Sequence, residues 1–386
     1  MNLDICIHDK DCGGCIYQGI PYQEQLEAKL KTVREFLKEE RIAPELCAGI
    51  QGSASQYAYR NKMEYTFGDE VKGGEMNLGM HKAGRFMSII TVDHCRIVHP
   101  DYNLVLRAAL DFCREKGYSF YHKKSHTGLM RNLVLRSGIR TNELLINIIT
   151  SSQGEFDEAG FLELMHSLPL EETVVGVLHT VNDQVGDGVN CDELRILEGR
   201  DYYREEILGL KFKVSAFSFF QTNIESVERL YTEALSLAEN PEGKTVFDLY
   251  CGTGTITQAL ALQAKETIGV EIVEEAVEAA RINAEENGLK NCRFIAGDVL
   301  NVLDTLEEKP DLIVVDPPRA GIHPKAWQKI LAYGVKQIVY ISCNPKSLAQ
   351  NLGQAAWADY EVKSIKAYDN FPFTKHIECT ALLQLK

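Results

Sequence analysis

The chain has 386 residues, a formal net charge of −14, 45% hydrophobic and 25% charged residues and eleven cysteines. That length exceeds one ordinary core and implies two domains, and the composition is globular, which excludes a disordered or fibrous chain. No apolar run reaches a membrane span, and Met1-Asn-Leu-Asp-Ile-Cys-Ile-His-Asp9 has neither a basic leader nor an apolar signal core. A cytoplasmic protein is therefore expected, its thiols serving as metal ligands, a nucleophile or core residues rather than disulfides.

The first twenty residues are rich in cysteine and glycine and read as irregular. Cys6, Cys12 and Cys15 form C-x5-C-x2-C, and Cys95 follows an apolar stretch in Asp93-His-Cys-Arg96. Four such thiolates suit either zinc or a cubane iron–sulfur cluster. From Tyr22 to Glu40, Leu26, Leu30, Val33, Phe36 and Leu37 share one face of an amphipathic helix.

Between Ile50 and Leu210 the apolar runs shorten: Ser88–Val92, Leu133–Arg136 and Leu144–Ile149 are punctuated by glycine and asparagine, as in a mainly antiparallel sheet. Helices are expected at 101–116 and 156–167. From Ile50 to Arg140 there are 14 Lys/Arg against 8 Asp/Glu, a basic segment on an acidic protein that suits a local polyanion footprint.

After Phe217, apolar strands at 246–249, 267–270, 292–295, 312–315 and 337–341 alternate with helices such as 274–287. That alternation implies a parallel, doubly wound sheet. The expected division is 1–214 and 215–386, with the helix at 22–40 a candidate to pack on the second, catalytic part.

Phe247-Asp-Leu-Tyr-Cys-Gly-Thr-Gly-Thr-Ile256 runs from strand through glycine loop into helix, so Gly252 and Gly254 let backbone approach a ligand. Thr257 stands where a dinucleotide loop has its third glycine, which disfavours a pyrophosphate cofactor. Glu271, 20 residues past Cys251, ends the next strand and is placed to accept both ribose hydroxyls. With Gly297-Asp298 after the third strand and Asp316-Pro-Pro318 after the fourth, S-adenosylmethionine is the better ligand. Methyltransferases of exocyclic amines also use Asp-Pro-Pro, usually followed by an aromatic residue; here Arg319 follows, and the next strand ends in Ser342-Cys343-Asn344-Pro345. A thiolate there suits addition to C6 of a pyrimidine, which makes C5 nucleophilic enough to accept a methyl group.

These motifs, with Ser218-Phe-Phe-Gln-Thr-Asn223 and His376-Ile-Glu378, make the chain resemble the bacterial RNA uracil-5-methyltransferases, which modify 23S ribosomal RNA or the T-loop of tRNA. The resemblance implies a Rossmann-like S-adenosylmethionine-dependent domain beside a mainly antiparallel α+β domain carrying a metal cluster. It makes Cys343 the nucleophile and Glu378 the base. It puts Gln221, Tyr250, Glu271 and Asp316 around the cofactor, with Thr255 and Asp298 as further candidates. It assigns Cys6, Cys12, Cys15 and Cys95 to a 4Fe–4S cluster, and it favours 23S rRNA as substrate, with the tRNA T-loop as alternative. The small β-barrel RNA-binding domain of some relatives is not expected before Cys6. Where the family often has Ala-Arg-Asp after Ser-Cys-Asn-Pro, this chain has Leu348-Ala-Gln-Asn351, and Lys375 replaces a frequent histidine.

Two competing readings stand beside this one: an exocyclic-amine methyltransferase with a structural Cys343, and a non-catalytic iron–sulfur RNA-binding module. Cys47, Cys113, Cys191, Cys251, Cys292 and Cys379 read as packing residues. Phe217, Phe219 and Phe220 are candidates for a pocket mouth or for the core. A monomer binding RNA, with no DNA or membrane partner, is expected.

Overall fold

The computed structural model describes residues 5–186 and 188–386 and divides into two compact units. Residues 1–4, the start of the expected first domain, lie outside the described residues. One unit comprises Met1–Gly19, Ser55–Glu206 and Lys213–Ser218; the other comprises Ile20–Ala54, Ile207–Phe212 and Phe219–Lys386.

A single cut at residue 214 does not describe this division. The helix Tyr22–Glu39 buries Leu26, Val33 and Leu37, and the strand after it joins the sheet of the second unit. Its buried Lys29 donates to Asp369 Oδ1 (2.6 Å) and to the Phe371 carbonyl (3.1 Å), which ties the helix to the loop before the last strand.

The second unit is built on eight strands: β1 (Cys47–Gln51), β2 (Thr245–Leu249), β3 (Glu266–Glu271), β4 (Cys292–Ala296), β5 (Leu312–Val315), β6 (Gln337–Ser342), β7 (Tyr360–Tyr368) and β8 (Glu378–Leu385). Their order is β1-β7-β8-β6-β5-β2-β3-β4. Strands β2 to β6 pair in parallel, as expected for short runs such as Leu-Ile-Val-Val that are buried on both faces. The sheet is not parallel throughout, because β8 runs antiparallel to both β6 and β7. A short Asp369–Ile377 connection, too brief for a helical crossover, forces that reversal. Phe247, Leu249, Ile268, Val270, Ile313, Val315, Ile338 and Tyr340 form the middle of the core, with Trp327 buried against it.

In the first unit, the seven-stranded sheet runs in the order Arg85–Thr91, Met76–Lys82, Lys62–Asp69, Met130–Gly138, Glu143–Thr150, Thr173–Val181, Glu193–Gly199. All its pairs are antiparallel except Glu143–Thr150 with Thr173–Val181, which the helix Glu158–Ser167 connects. The basic excess overstates what this unit offers a polyanion. Arg131 is buried and donates to the carbonyls of Asn182, Gln184 and Gly186 (2.8–2.9 Å), and buried Arg136 donates to those of Ser215 and Ala216 (both 2.8 Å). Arg107 pairs with Asp93 and Lys116 with Asp157.

Candidate active site

Because β2 to β6 are parallel, their carboxyl ends lie along one edge of the sheet. Order reverses between β2 and β5, the place where open α/β sheets leave a crevice for ligands. Tyr250, Glu271, Asp298, Asp316 and Cys343 each lie at or just past one of those ends.

The reversal of β8 brings in the remaining candidate. Ser342 pairs with Cys379, so the strand that ends before Cys343 lies beside the one that begins with Glu378. Residues 35 apart in sequence thus become neighbours across one antiparallel register.

The Cys343 loop is tightly held. Ser342 Oγ donates to the Asn344 carbonyl and accepts from the Asn344 N–H (both 3.1 Å). Asn344 caps the helix Pro345–Ala355 by accepting from the Lys346 N–H, and its Nδ2 donates to the Arg319 carbonyl (2.8 Å). Buried Asn351, two turns further on, accepts from the Tyr340 hydroxyl (2.8 Å) and the Ile322 N–H (3.1 Å), while its carbonyl accepts from Trp327 Nε1 (2.8 Å). The Asp316–Ile322 loop and the nucleophile loop are therefore one hydrogen-bonded body. Gly321 permits that approach: at φ +81°, an added Cβ would stand 2.9 Å from Ser347 Cβ.

Electrostatics at this point are crowded with acid. Burial, then the Glu378 and Asp316 carboxylates, push the Cys343 thiol up to about 11, while Arg319 pulls it down. Burial and Asp316 raise Glu378 to about 8, again opposed by Arg319, and burial raises Asp316 to about 7. Arg319, whose Nη2 lies 3.4 Å from His376 Nδ1, is thus the cation of a three-acid cluster. Three raised acids around one cation in a single cleft mark a candidate site for acid–base and nucleophilic chemistry.

Gln221 precedes the helix Ile224–Leu237 and donates from Nε2 to the buried Tyr231 hydroxyl (2.8 Å), which lies in the field of Asp316 and Glu378. At the other end of the crevice, Glu271 accepts from the Gly252 N–H (3.1 Å) and the Val273 N–H (3.0 Å), bracing the glycine loop. Tyr250 is held at φ +69°, with its N–H donating to the Val270 carbonyl (2.8 Å). Gly254, at φ +76°, caps the helix Thr255–Ala261; a Cβ there would stand 2.6 Å from the Phe294 ring. Thr255 is buried in the first turn of that helix. Asp298 is exposed, accepts from the Leu300 N–H (2.9 Å) and acts electrostatically on Tyr250. Buried Asp248 accepts from Thr257 Oγ1 (2.5 Å), and burial raises it to about 7.

Sequence reading missed Tyr231, Asn344 and Asn351 as supports. Asn344 lies inside the Ser342–Pro345 motif, but its clamp on the Arg319 carbonyl is visible only in the fold. Phe220 is core, packed 5.5 Å from Phe212, whereas Phe219 is 71% exposed. Cys47, Cys113 and Cys379 are buried, and Cys191 is exposed.

Cys6, Cys12, Cys15 and Cys95 all fall in the other unit. Cys12 bridges to Lys82, and Asn103 clamps Cys95 through its N–H and carbonyl (both 3.0 Å). Burial, then Cys95 and Cys12 with a lesser share from Cys6, push the Cys15 thiol up to about 12.

The residues 192–386 match the family model described as tRNA (uracil-5-)-methyltransferase. An RNA methyltransferase of Clostridium tetani is 47% identical over 375 residues, covering 97% of this chain and 82% of the relative. The chain belongs to the RNA uracil-5-methyltransferase family. Another member, an RNA methyltransferase of Bacteroides thetaiotaomicron, is 36% identical over 408 residues, covering 100% of this chain and 88% of that one. Among solved structures, the Pyrococcus abyssi tRNA (uracil-54, C5)-methyltransferase in complex with S-adenosyl-L-homocysteine superposes with a TM-score of 0.79. It is 26% identical and covers 96% of this chain and 86% of its own. The family's α/β methyltransferase fold is the one described above.

Proposed function

We propose that this enzyme methylates C5 of a specific uridine in 23S rRNA through a covalent Cys343–C6 adduct, with Glu378 as the base. The observation that carries this reading is the pairing of β6 with β8, which sets Cys343 and Glu378 side by side within reach of Asp316 and Arg319. An amine methyltransferase needs no thiol there.

Gln221, Tyr250, Glu271 and Asp316, with Thr255 and Asp298, fit S-adenosylmethionine: Glu271 suits the ribose hydroxyls, and half-buried Asp316 suits a cationic sulfonium. When bound, that cofactor supplies an electrophilic methyl group. The target uridine leaves its stack to reach the site. Cys343 ionises and its sulfur bonds to C6, placing the electron pair on C5 and O4. The enolate uses that pair to form the new C5–methyl bond as the methyl group's bond to the cofactor sulfur breaks, its electrons staying on that sulfur as a neutral thioether. Glu378, ionised, removes the C5 proton, the electrons restore the C5–C6 double bond, and the C6–S bond breaks to return the thiolate. The raised Cys343 is mostly a thiol in the free enzyme, and Arg319 favours the anions once substrate excludes water.

In the other unit, the donor set fits a 4Fe–4S cluster held by Cys6, Cys12, Cys15 and Cys95. Among the described residues no three of these sulfurs lie within 4.8 Å of one another. A four-thiolate zinc site, with Zn–S near ~2.3 Å, requires sulfurs about 3.8 Å apart. The cluster's role here is to fasten residues 5–19 to the turn that carries Cys95. The cysteine set also favours 23S rRNA, since cluster-bearing members of the family the chain resembles are mostly ribosomal enzymes. The similarity to the Pyrococcus tRNA enzyme favours the T-loop uridine as second reading. Labelled methyl transfer into separated, unmodified 23S rRNA and tRNA decides: 5-methyluridine in 23S rRNA supports the first, label in tRNA alone the second.

A further inference from the structure

One surface of the first unit has no task in this chemistry. The strands Met76–Lys82 and Arg85–Thr91 form a hairpin whose tip carries Phe86, 61% exposed, and Met87, 41% exposed. His81 stacks on Phe86 with ring centroids 4.7 Å apart and planes 8° from parallel. The Lys123 ammonium stands over the same ring, 4.5 Å from its centroid.

The support beneath is rigid. The Gly13 N–H donates to the His81 carbonyl (3.4 Å), and the Ala83 N–H donates to the Asp11 carbonyl (2.7 Å), so the cysteine-rich segment braces the hairpin. Lys123 comes from a loop closed by its own hydrogen bonds: the His126 N–H donates to the His122 carbonyl (2.8 Å), and the His122 N–H to the Thr127 carbonyl (2.7 Å). The local charge is positive. Asp11 and Glu70 are both paired with Lys82, at 2.8 and 2.6 Å, while among the described residues the side chains of Arg85 and Lys124 have no carboxylate partner. An exposed aromatic ring stacked on His81, with the Lys123 ammonium over it and Arg85 and Lys124 adjacent in the chain, is an arrangement suited to unpaired nucleobases and their phosphates.

We infer that the Phe86 hairpin is an RNA-docking platform, on which an unpaired base stacks against Phe86 while Lys123 leaves the ring for a backbone phosphate beside Arg85 and Lys124. The inference rests on the RNA-methyltransferase reading for its partner. An acidic protein would use the cations but gain nothing specific from a flat ring held parallel to His81, so single-stranded RNA is the occupant favoured.

The test is binding, read separately from methylation. The probes are a fluorescent single-stranded RNA of about 12 nucleotides and the same sequence as a duplex, with polyglutamate as competitor. Phe86→Ala is expected to weaken the single strand about tenfold, at the scale of one lost stacked base, and to leave the duplex unaffected. Phe86→Trp is expected to restore binding. Removing Lys123 and Lys124 together is expected to flatten the logarithmic salt dependence by about 1.4. Because Phe86 is exposed, its truncation leaves the fold intact, which the melting curve checks. Equal affinity of wild type and Phe86→Ala for the single strand overturns the inference, as does competition by polyglutamate that depends on Phe86. Failure of the wild type to methylate any RNA, with Phe86-dependent binding intact, would instead count against the proposed reaction.

Discussion

Replacing Glu378 with glutamine should make Cys343 more reactive toward a small alkylating agent, even as it abolishes turnover. With the thiol pushed from 9.0 to about 11, roughly one molecule in a thousand carries the thiolate at pH 8, about a hundredfold below an ordinary thiol. Burial is the largest cause and survives the substitution; the Glu378 carboxylate is the next and does not. A like charge about 6 Å away at an effective dielectric near 20 is worth on the order of 2–3 kcal/mol. Partial solvation reduces that, so a rise of about tenfold in the alkylation rate is expected at pH 9. Since Glu378 itself titrates near about 8, the gain should grow from pH 7 to pH 9. Arg319→Gln should act in the opposite sense and slow alkylation. The assay is iodoacetamide labelling resolved by peptide mass, with exposed Cys191 as internal reference. Unchanged or slower labelling of Cys343 in Glu378→Gln, with Cys191 unaffected, would refute the placement of that carboxylate beside the thiol.

Gly254→Ala combines a left-handed backbone with a Cβ 2.6 Å from Phe294, at a cost of about 2–5 kcal/mol. Urea unfolding should show it, and Phe294→Leu in the same chain should recover part; a loss below about 0.5 kcal/mol contradicts the packing. For Asp248, raised in the fold from 3.8 to about 7, the folded state keeps a proton that the unfolded state releases. Its contribution to stability therefore falls as pH rises from about 4 to about 7. Asn does not titrate, so the melting temperature of Asp248→Asn relative to wild type should improve between pH 5 and pH 8, and a constant difference contradicts the assignment. Cys95→Ser should lose iron and acid-labile sulfide after anaerobic reconstitution; full retention of both removes Cys95 from the ligand set.

Strand and helix periodicity carried most of the catalytic sheet: the apolar runs at 246–249, 267–270, 312–315 and 337–341 fall inside β2, β3, β5 and β6. It could not carry β1 or its pairing with β7, because the register between Cys47–Gln51 and Tyr360–Tyr368 joins residues more than 300 apart with no local signature. Glu378 illustrates the limit. Alone it is one carboxylate at the start of an apolar strand, and only the antiparallel partnership with β6 gives it a thiol for a neighbour. Asn351 is a second case. It reads as a departure from a familiar run, yet it bonds to Tyr340, Ile322 and Trp327 at once and holds the two catalytic loops together. The charge count misled in the other direction, since Arg131 and Arg136 serve buried carbonyls rather than a polyanion.

The covalent adduct is the central claim, and trapping it is the most direct test. An RNA substrate with 5-fluorouridine at the target position offers C5 no removable proton, so methyl transfer should stall with the enzyme still bonded to C6. Wild type with S-adenosylmethionine should then yield a complex that survives denaturation, with the RNA mapped by mass to the peptide containing Cys343. Cys343→Ala should yield none, and Glu378→Gln should accumulate adduct even on ordinary uridine. A stable complex formed equally by Cys343→Ala, or methylated product from that variant, would contradict the account.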